Sequence, residues 1–238
     1  MTDTESDYWC VVPAAGRGSR FGGDVPKQYA LVAGKPLIQW TLEALALHPR
    51  IAGIVVALAA TDSRWVDLEL PGGKPLLRVD GGGERADSVA AGLRGLPECV
   101  TDQHFVLVHD AARPCVLASD IDKLIDHGRP AGGALLAAPM RDTLKRADAH
   151  GRIMMTEPRD GRWRAMTPQF FRRGELLSAL EAALVAGDAV SDEAMAMERA
   201  GFSPLLVEGS EDNIKVTTPA DLALAGYLLG REQSIGNG

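Results

Sequence analysis

The sequence predicts an α/β fold: a mostly parallel, doubly wound sheet with helices on both faces and a protruding β-arm. Three observations predict it. Apolar runs of strand length alternate with stretches of helical periodicity through the first 138 residues. The run Gly53–Ala60 is apolar almost throughout, as a strand buried on both faces requires. Three glycine-rich or polar stretches, 13–23, 80–88 and 109–114, each follow a predicted strand. In open α/β sheets ligands bind at those carboxyl ends, so the three stretches are expected to converge on one site.

Taken in order, Trp9-Cys10-Val11-Val12 is the first short buried strand, and Pro13 ends its pairing because proline has no N–H to donate. Pro36 opens a helix with Ile38, Leu42 and Leu45 on one stripe, closed by His48-Pro49. Leu76–Val79 is a further strand, and a helix follows from Glu84 with Val89, Leu93 and Leu96 inward. Phe105–Val108 is the fourth strand, a helix marked by Ile121, Leu124 and Ile125 comes next, and Gly133–Ala138 is the fifth strand.

From 139 to 164 the chain becomes charged, with turn signals at Ala149-His150-Gly151 and Asp160-Gly161. Such a stretch cannot fill a core. It reads as a hairpin arm that packs on a partner, the alternative being a surface loop of unusual length. The core resumes at Ala165-Met166-Thr167 and continues with a helix carrying Leu176, Leu177, Leu180 and Leu184. Ser191-Asp192-Glu193 caps the next helix, which accounts for its acids and is favoured over the alternative of a catalytic carboxylate at Asp192. Leu205–Val207 and Ile214–Val216 read as short strands, and Thr218-Pro219 begins the closing helix. No repeat or linker divides the chain, so 7–230 is expected to be one domain, with 1–6 and 231–238 as frayed tails.

Composition narrows the function. The chain has 238 residues, is 46% apolar and carries a net charge of −7, which argues against general binding to nucleic acid or an anionic membrane. Cys10, Cys99 and Cys115 are widely spaced and odd in number, as in a reduced, cytoplasmic protein. No apolar run approaches the ~20 residues of a membrane span, and Met1–Asp7 is too polar and acidic for a signal peptide.

The stretch V-V-P-A-A-G-R-G-S-R-F-G-G-D-V-P-K-Q-Y, residues 11–29, carries the chemistry. Pro13, Ala14, Ala15, Gly16 and Gly18 leave a loop almost without side chains, whose N–H groups can approach a ligand closely. Arg20 and Lys27 frame it with fixed positive charge, which together reads as a phosphate cradle. It is not a Walker A loop, having no Gly-Lys-Ser/Thr. It is not a dinucleotide fingerprint either, since Phe21 occupies the third glycine position.

The order G-x-G-x-R followed by P-K resembles the nucleotidyltransferase superfamily. With D-G-G-G-E-R-A-D-S-V (80–89), H-D-A-A-R-P (109–114), T-P-Q-F-F (167–171) and D-N-I-K-V-T (212–217), the chain from Val11 to Leu228 closely resembles the 2-C-methyl-D-erythritol 4-phosphate cytidylyltransferase family. The resemblance implies a Rossmann-like nucleotidyltransferase fold. It implies CMP transfer from CTP to 2-C-methyl-D-erythritol 4-phosphate in the non-mevalonate isoprenoid pathway, with Mg2+ or another divalent cation on the triphosphate oxygens and no metal held by the protein alone.

By the same resemblance, Arg20 and Lys27 stabilise the transition state, while Arg159 and Lys215 hold the acceptor phosphate. Ala14, Ala15, Gly16, Gly82 and Ser88 line the CTP site, and Asp110 and Ala111 touch ribose or erythritol hydroxyls. The family works as a homodimer with crossing arms, so Arg113 and Thr143 serve the partner's substrate and Thr167 its own. Two positions depart from the family pattern: Gly83, in the nucleotide-binding stretch, stands where an acidic residue is frequent, and Pro158 stands where one is usual. The residues themselves agree with such a transfer. A phosphate nucleophile is already anionic near neutral pH, since its second pKa is about 6, and no Ser-His or Cys-His pair is evident. The rivals are a cytidylyltransferase for a pentitol phosphate such as ribitol 5-phosphate, a sugar-1-phosphate nucleotidylyltransferase, and a catalytically silent nucleotide binder.

Overall fold

A computed structural model describes residues 8–16 and 25–235. Its elements follow the expected alternation. β1 (Tyr8–Pro13) leads to a 3-10 turn (Lys27–Tyr29), the small hairpin β2 (Leu31–Val32) and β3 (Lys35–Pro36), and α1 (Leu37–Leu47). Then come β4 (Ile51–Leu58), β5 (Leu76–Asp80), α2 (Arg85–Arg94), β6 (Phe105–Val108), α3 (Ala118–Ala131) and β7 (Gly133–Pro139). The second half holds β8 (Leu144–Ala147), β9 (Ile153–Glu157), β10 (Trp163–Arg172), α4 (Arg173–Ala186), α5 (Glu193–Arg199), β11 (Leu205–Glu208) and α6 (Pro219–Ile235).

Seven strands form one sheet in the order β11-β7-β10-β6-β1-β4-β5. All its pairings are parallel except those of β10, which runs antiparallel between β6 and β7. The sheet is mostly parallel as expected, and β10 is the element that the sequence pattern does not reveal. Its register against β7 shifts between Ala165 and Gln169, where Pro168 has no N–H for the ladder.

Alternation along each strand builds two cores. Cys10, Val12, Ile54, Val56 and Leu107 face the side packed by Ile38 and Leu42 of α1 and Ile121 and Leu124 of α3. Trp9, Val11, Val55, Val106 and Val108 face the side packed by Val89 of α2, Leu176 of α4 and Met197 of α5. Phe170 of β10 stacks on Phe105 at 4.8 Å between centroids and meets Tyr8 edge-on at 5.2 Å. Each such pair adds about 0.5–1.5 kcal/mol beyond burial, so the antiparallel strand is well fastened between its neighbours.

Two segments differ from expectation. Ile214–Val216 is not a strand. Its Val216 N–H bonds to the Ala112 carbonyl at 2.9 Å instead of joining a ladder. Ile214 and Val216 pack with Ala112, Leu228 and Leu229, so α6 presses this segment against the loop after β6. The closing helix also continues to Ile235, past the Gly230 limit expected for a frayed tail. No proline or glycine interrupts 231–235, and the next breaker in the sequence is Gly236.

The stretch 139–164 makes the expected hairpin. β8 and β9 pair antiparallel in a sheet of their own. The Asp148 carboxylate accepts from the His150 and Arg152 N–H groups at 2.9 Å each and so closes the tip. Ile153 and Met154 lie exposed on this arm.

Candidate active site

The carboxyl ends of β1, β5 and β6 meet at a cavity of about 200 Å3. Pro13, Ala14, Ala15 and Gly16 form one wall, and Gly82, Gly83, Glu84, Arg85 and Ser88 another. Lys27, Gln28, Asp110, Ala111, Ala112 and Lys215 complete it. The described residues of the three strand-end stretches, 13–16 of the first among them, thus converge as the sequence predicts.

The walls are held by backbone. Ala14 donates its N–H to the Ala57 carbonyl at 2.7 Å, and its own carbonyl accepts from the buried Gln28 amide at 3.0 Å. Opposite, Gly81 donates to the Leu58 carbonyl at 2.7 Å. The next turn must be glycine, because a Cβ on Gly82 would stand 2.2 Å from the Asp87 Cβ. Asp87 belongs to a capping box with Glu84, taking the Glu84 N–H at 3.0 Å, so α2 begins directly at the cavity edge. Ser88 lines the cavity while donating its hydroxyl hydrogen to the Glu84 carbonyl at 3.2 Å.

Charge concentrates on Asp110. Its Oδ1 receives Arg85 at 3.0 and 3.1 Å, and its Oδ2 receives Lys215 at 2.8 Å, with the Arg113 Nε a longer ion-pair contact at 3.5 Å that makes no hydrogen bond. Burial alone would raise this carboxyl, but Arg85, Lys215 and Arg113 outweigh it and hold Asp110 well below the usual carboxylate range. Arg85 in turn forks onto Glu193, through NH1 to Oε1 and through NH2 to Oε2 at 3.1 Å. Burial raises the Glu193 carboxyl, partly offset by Arg85.

Behind Asp110 the hydrogen bonds form a closed chain. The Asp110 N–H donates to Thr167 Oγ1 at 3.0 Å, and Thr167 Oγ1 lies 3.0 Å from His109 Nδ1. His109 Nε2 lies 3.0 Å from the Arg113 carbonyl. A carbonyl can only accept, so Nε2 carries the proton and Nδ1 accepts from the Thr167 hydroxyl. Burial lowers the imidazole to about 4, so the ring is neutral. His109 is therefore structural, with both nitrogens committed.

Not every expected residue lines the cavity. Thr167 sits behind Asp110 with its hydroxyl engaged. Arg113, expected to serve a partner's substrate, is buried in its own chain and donates NH1 to the Asn213 carbonyl at 2.6 Å. Arg159 and Thr143 are exposed on the arm, away from the cavity lining, and the Arg159 guanidinium donates to the Arg141 carbonyl. Gly18 and Arg20 lie outside the described residues. Lys27 lines the cavity and donates to the Val216 carbonyl at 3.1 Å, and Lys215 is two-fifths exposed beside it. Asp192 caps α5 as expected, accepting from the Met195 N–H.

The structure adds Gln28, Arg85 and Glu193, which the sequence does not single out. Arg85 stands inside the D-G-G-G-E-R-A-D-S-V run, where nothing local separates it from a surface cation. Glu193 carries only a capping signature, and its partner is 108 residues away. Nothing local marks the pair.

The model of the family described as 2-C-methyl-D-erythritol 4-phosphate cytidylyltransferase matches residues 9–231. The chain is 57% identical over 224 residues to the enzyme of that name from Xanthomonas oryzae pv. oryzae (strain PXO99A), covering 94% of this chain and 82% of the relative. It is 59% identical over 216 residues to that from Xanthomonas campestris pv. campestris (strain B100), covering 90% and 82%. Among solved structures, the enzyme of the same name from Francisella tularensis superposes with a TM-score of 0.79 at 34% identity, covering 94% of this chain and all of that one. A 4-diphosphocytidyl-2C-methyl-D-erythritol synthase superposes with a TM-score of 0.81 at 32% identity, covering 95% and 99%. With a cavity assembled from the same stretches that suggested the resemblance, the chain belongs to the 2-C-methyl-D-erythritol 4-phosphate cytidylyltransferase family.

Proposed function

We propose that this cavity is where the chain carries out its family's reaction. That reaction moves CMP from CTP to 2-C-methyl-D-erythritol 4-phosphate in the non-mevalonate isoprenoid pathway, giving 4-diphosphocytidyl-2-C-methyl-D-erythritol and pyrophosphate. The observation that carries the placement is the meeting of Lys27 and Lys215 with the small-residue walls around a clamped Asp110.

An oxygen of the acceptor phosphate attacks the α-phosphorus in line. The new O–P bond forms as the bond to the β-phosphate oxygen breaks, and pyrophosphate leaves with that electron pair. The nucleophile is already an anion, so no base has to take a proton. His109, the nearest imidazole to Asp110, is neutral and fully committed, in keeping with that economy. Catalysis is then positioning and charge. Lys27 and Arg20 steady the α- and β-phosphates. Lys215 and Arg159 take the acceptor phosphate. The walls at Pro13–Gly16, Gly82, Gly83 and Ser88 hold the nucleoside, and Asp110 with Ala111 meets sugar or polyol hydroxyls.

Magnesium belongs to the substrate side of this reading. Among the described residues no three metal-ligating side chains come together, and both Asp110 oxygens are occupied by cations, so the donor set does not fit a protein-held ion. A divalent ion would arrive on the triphosphate oxygens. The enzyme is a homodimer in this reading: Arg159 and Thr143 stand on the arm, outside their own chain's cavity, where a second copy's acceptor could be reached. Arg113 and Thr167 support Asp110 from within.

Product analysis tests the assignment. With CTP and 2-C-methyl-D-erythritol 4-phosphate, equal amounts of pyrophosphate and the cytidylylated product are expected, and UTP, ATP or ribitol 5-phosphate should be poor replacements. The pentitol alternative is not favoured by family membership, and faster turnover of ribitol 5-phosphate would reinstate it. CTP binding without turnover would point to a silent binder.

A further inference from the structure

We infer that Glu193 is a positioning residue for the transfer, acting through Arg85 to fix Asp110 at the cavity wall. The inference rests on the placement of the reaction in this cavity. Glu193 is fully buried and does not line the cavity itself. A buried carboxylate persists only with matched partners, and its partner is the Arg85 fork. The same guanidinium holds Asp110 Oδ1 through Nε and NH2 at 3.1 and 3.0 Å. One planar group thus joins two carboxylates, a geometry that lysine cannot reproduce.

The anchor is rigid on its far side. Gln169 of β10 accepts the Ala194 N–H at 2.7 Å and donates to Asp192 at 3.0 Å, which fixes the first turn of α5. Gln169 also pairs in register with Val108, two residues before Asp110. The Asp110 end thus follows β6, and the Glu193 end is tied through Gln169 to β10, the strand beside it.

The arrangement explains how Lys215 can serve two partners. Arg85, Arg113 and Lys215 against Asp110 and Glu193 leave one positive charge in excess. Lys215 is the exposed member and holds only Oδ2. When it turns toward an incoming phosphate, Arg85 still neutralises Oδ1, so Asp110 stays ionised and aimed. Its Oδ2, which keeps the Arg113 Nε at 3.5 Å, then has room to accept from a substrate hydroxyl. Without Glu193, Arg85 has a single tether and the carboxylate loses its fixed direction.

A double-mutant cycle tests this on the full-length enzyme, with rates expressed per folded molecule from unfolding curves. Glu193→Gln should lower kcat/KM for 2-C-methyl-D-erythritol 4-phosphate by about 10–100-fold, as expected for a reacting group displaced by about 1 Å. In an Asp110→Asn background the same change should cost no more than about 3-fold, because the two act as one unit. Arg85→Lys is run through the same cycle with the same expectations, in case the Gln protein does not fold. Losses that multiply in the double mutant, or a folded Glu193→Gln enzyme within about 2-fold of wild type, would reduce Glu193 to a structural ion pair and overturn the inference. Unimpaired turnover by Asp110→Asn alone would overturn the placement of the site, and this inference with it.

Discussion

Replacing His109 with Gln should change how the protein responds to acid. The ring is fully buried, and its pKa is lowered from 6.5 to about 4. Between those values the unfolded chain binds a proton that the folded chain refuses, so stability falls as pH falls. The contribution is complete above 6.5 and is gone once the pH passes below about 4. A shift of this size amounts to about 3 kcal/mol in full, of which about 2 kcal/mol is lost between pH 7 and pH 5. For a chain of this length that is about 4–8 °C in Tm. The assay is urea unfolding of wild type and His109→Gln at both pH values, taking the difference of differences so that Asp110, Glu193 and the surface acids cancel. The wild type should lose about 2 kcal/mol more than the variant over this interval. Equal losses, within about 0.5 kcal/mol, would mean that His109 is not the neutral Nε2–H tautomer that the Thr167 and Arg113 contacts require.

Other perturbations probe the cavity and the arm. Lys27→Ala and Arg20→Ala should each lower kcat by at least about 100-fold, the effect of removing one preorganised charge, and near-normal turnover in both would refute their assignment. Gly82→Ala forces a Cβ to 2.2 Å from Asp87 and should cost about 1–3 kcal/mol and raise KM for CTP. Gly83→Ala, with open space around the added carbon, should keep the wild-type Tm, so equal melting points for the two variants would contradict the packing described. Mixing an Arg159→Ala chain with a Lys215→Ala chain should restore up to about a quarter of wild-type activity, since half the random dimers carry one intact site. Continued inactivity despite demonstrated subunit exchange would place the whole site within one chain.

What the sequence disclosed followed physical range. Strand ends are marked locally, by Pro13, by Gly81–Gly83 and by His109–Pro114, so the cavity's walls were legible before any coordinates. Lys215 was legible only through the resemblance carried by D-N-I-K-V-T, although the alternation Ile214-Lys215-Val216 is real. Ile214 and Val216 face α6 while Lys215 faces the cavity, and only the partner strand implied by that period is missing. Period two reports which side a residue faces, not whether a ladder exists. The direction of β10 and the Arg85–Glu193 pair stayed hidden because both depend on contacts between distant segments, where no neighbouring residue carries the signal.

The hairpin of 139–164 leaves the sheet between β7 and β10, which are antiparallel neighbours. An insertion at that point hangs from one corner, like a tab on a folder. Its part between Pro139 and Trp163 can be shortened, extended or exchanged for another sequence while every hydrogen-bonded rung among the seven strands remains in place. Foreign arms grafted between Pro139 and Trp163 would thus change the hairpin while the residues that line the cavity keep their places.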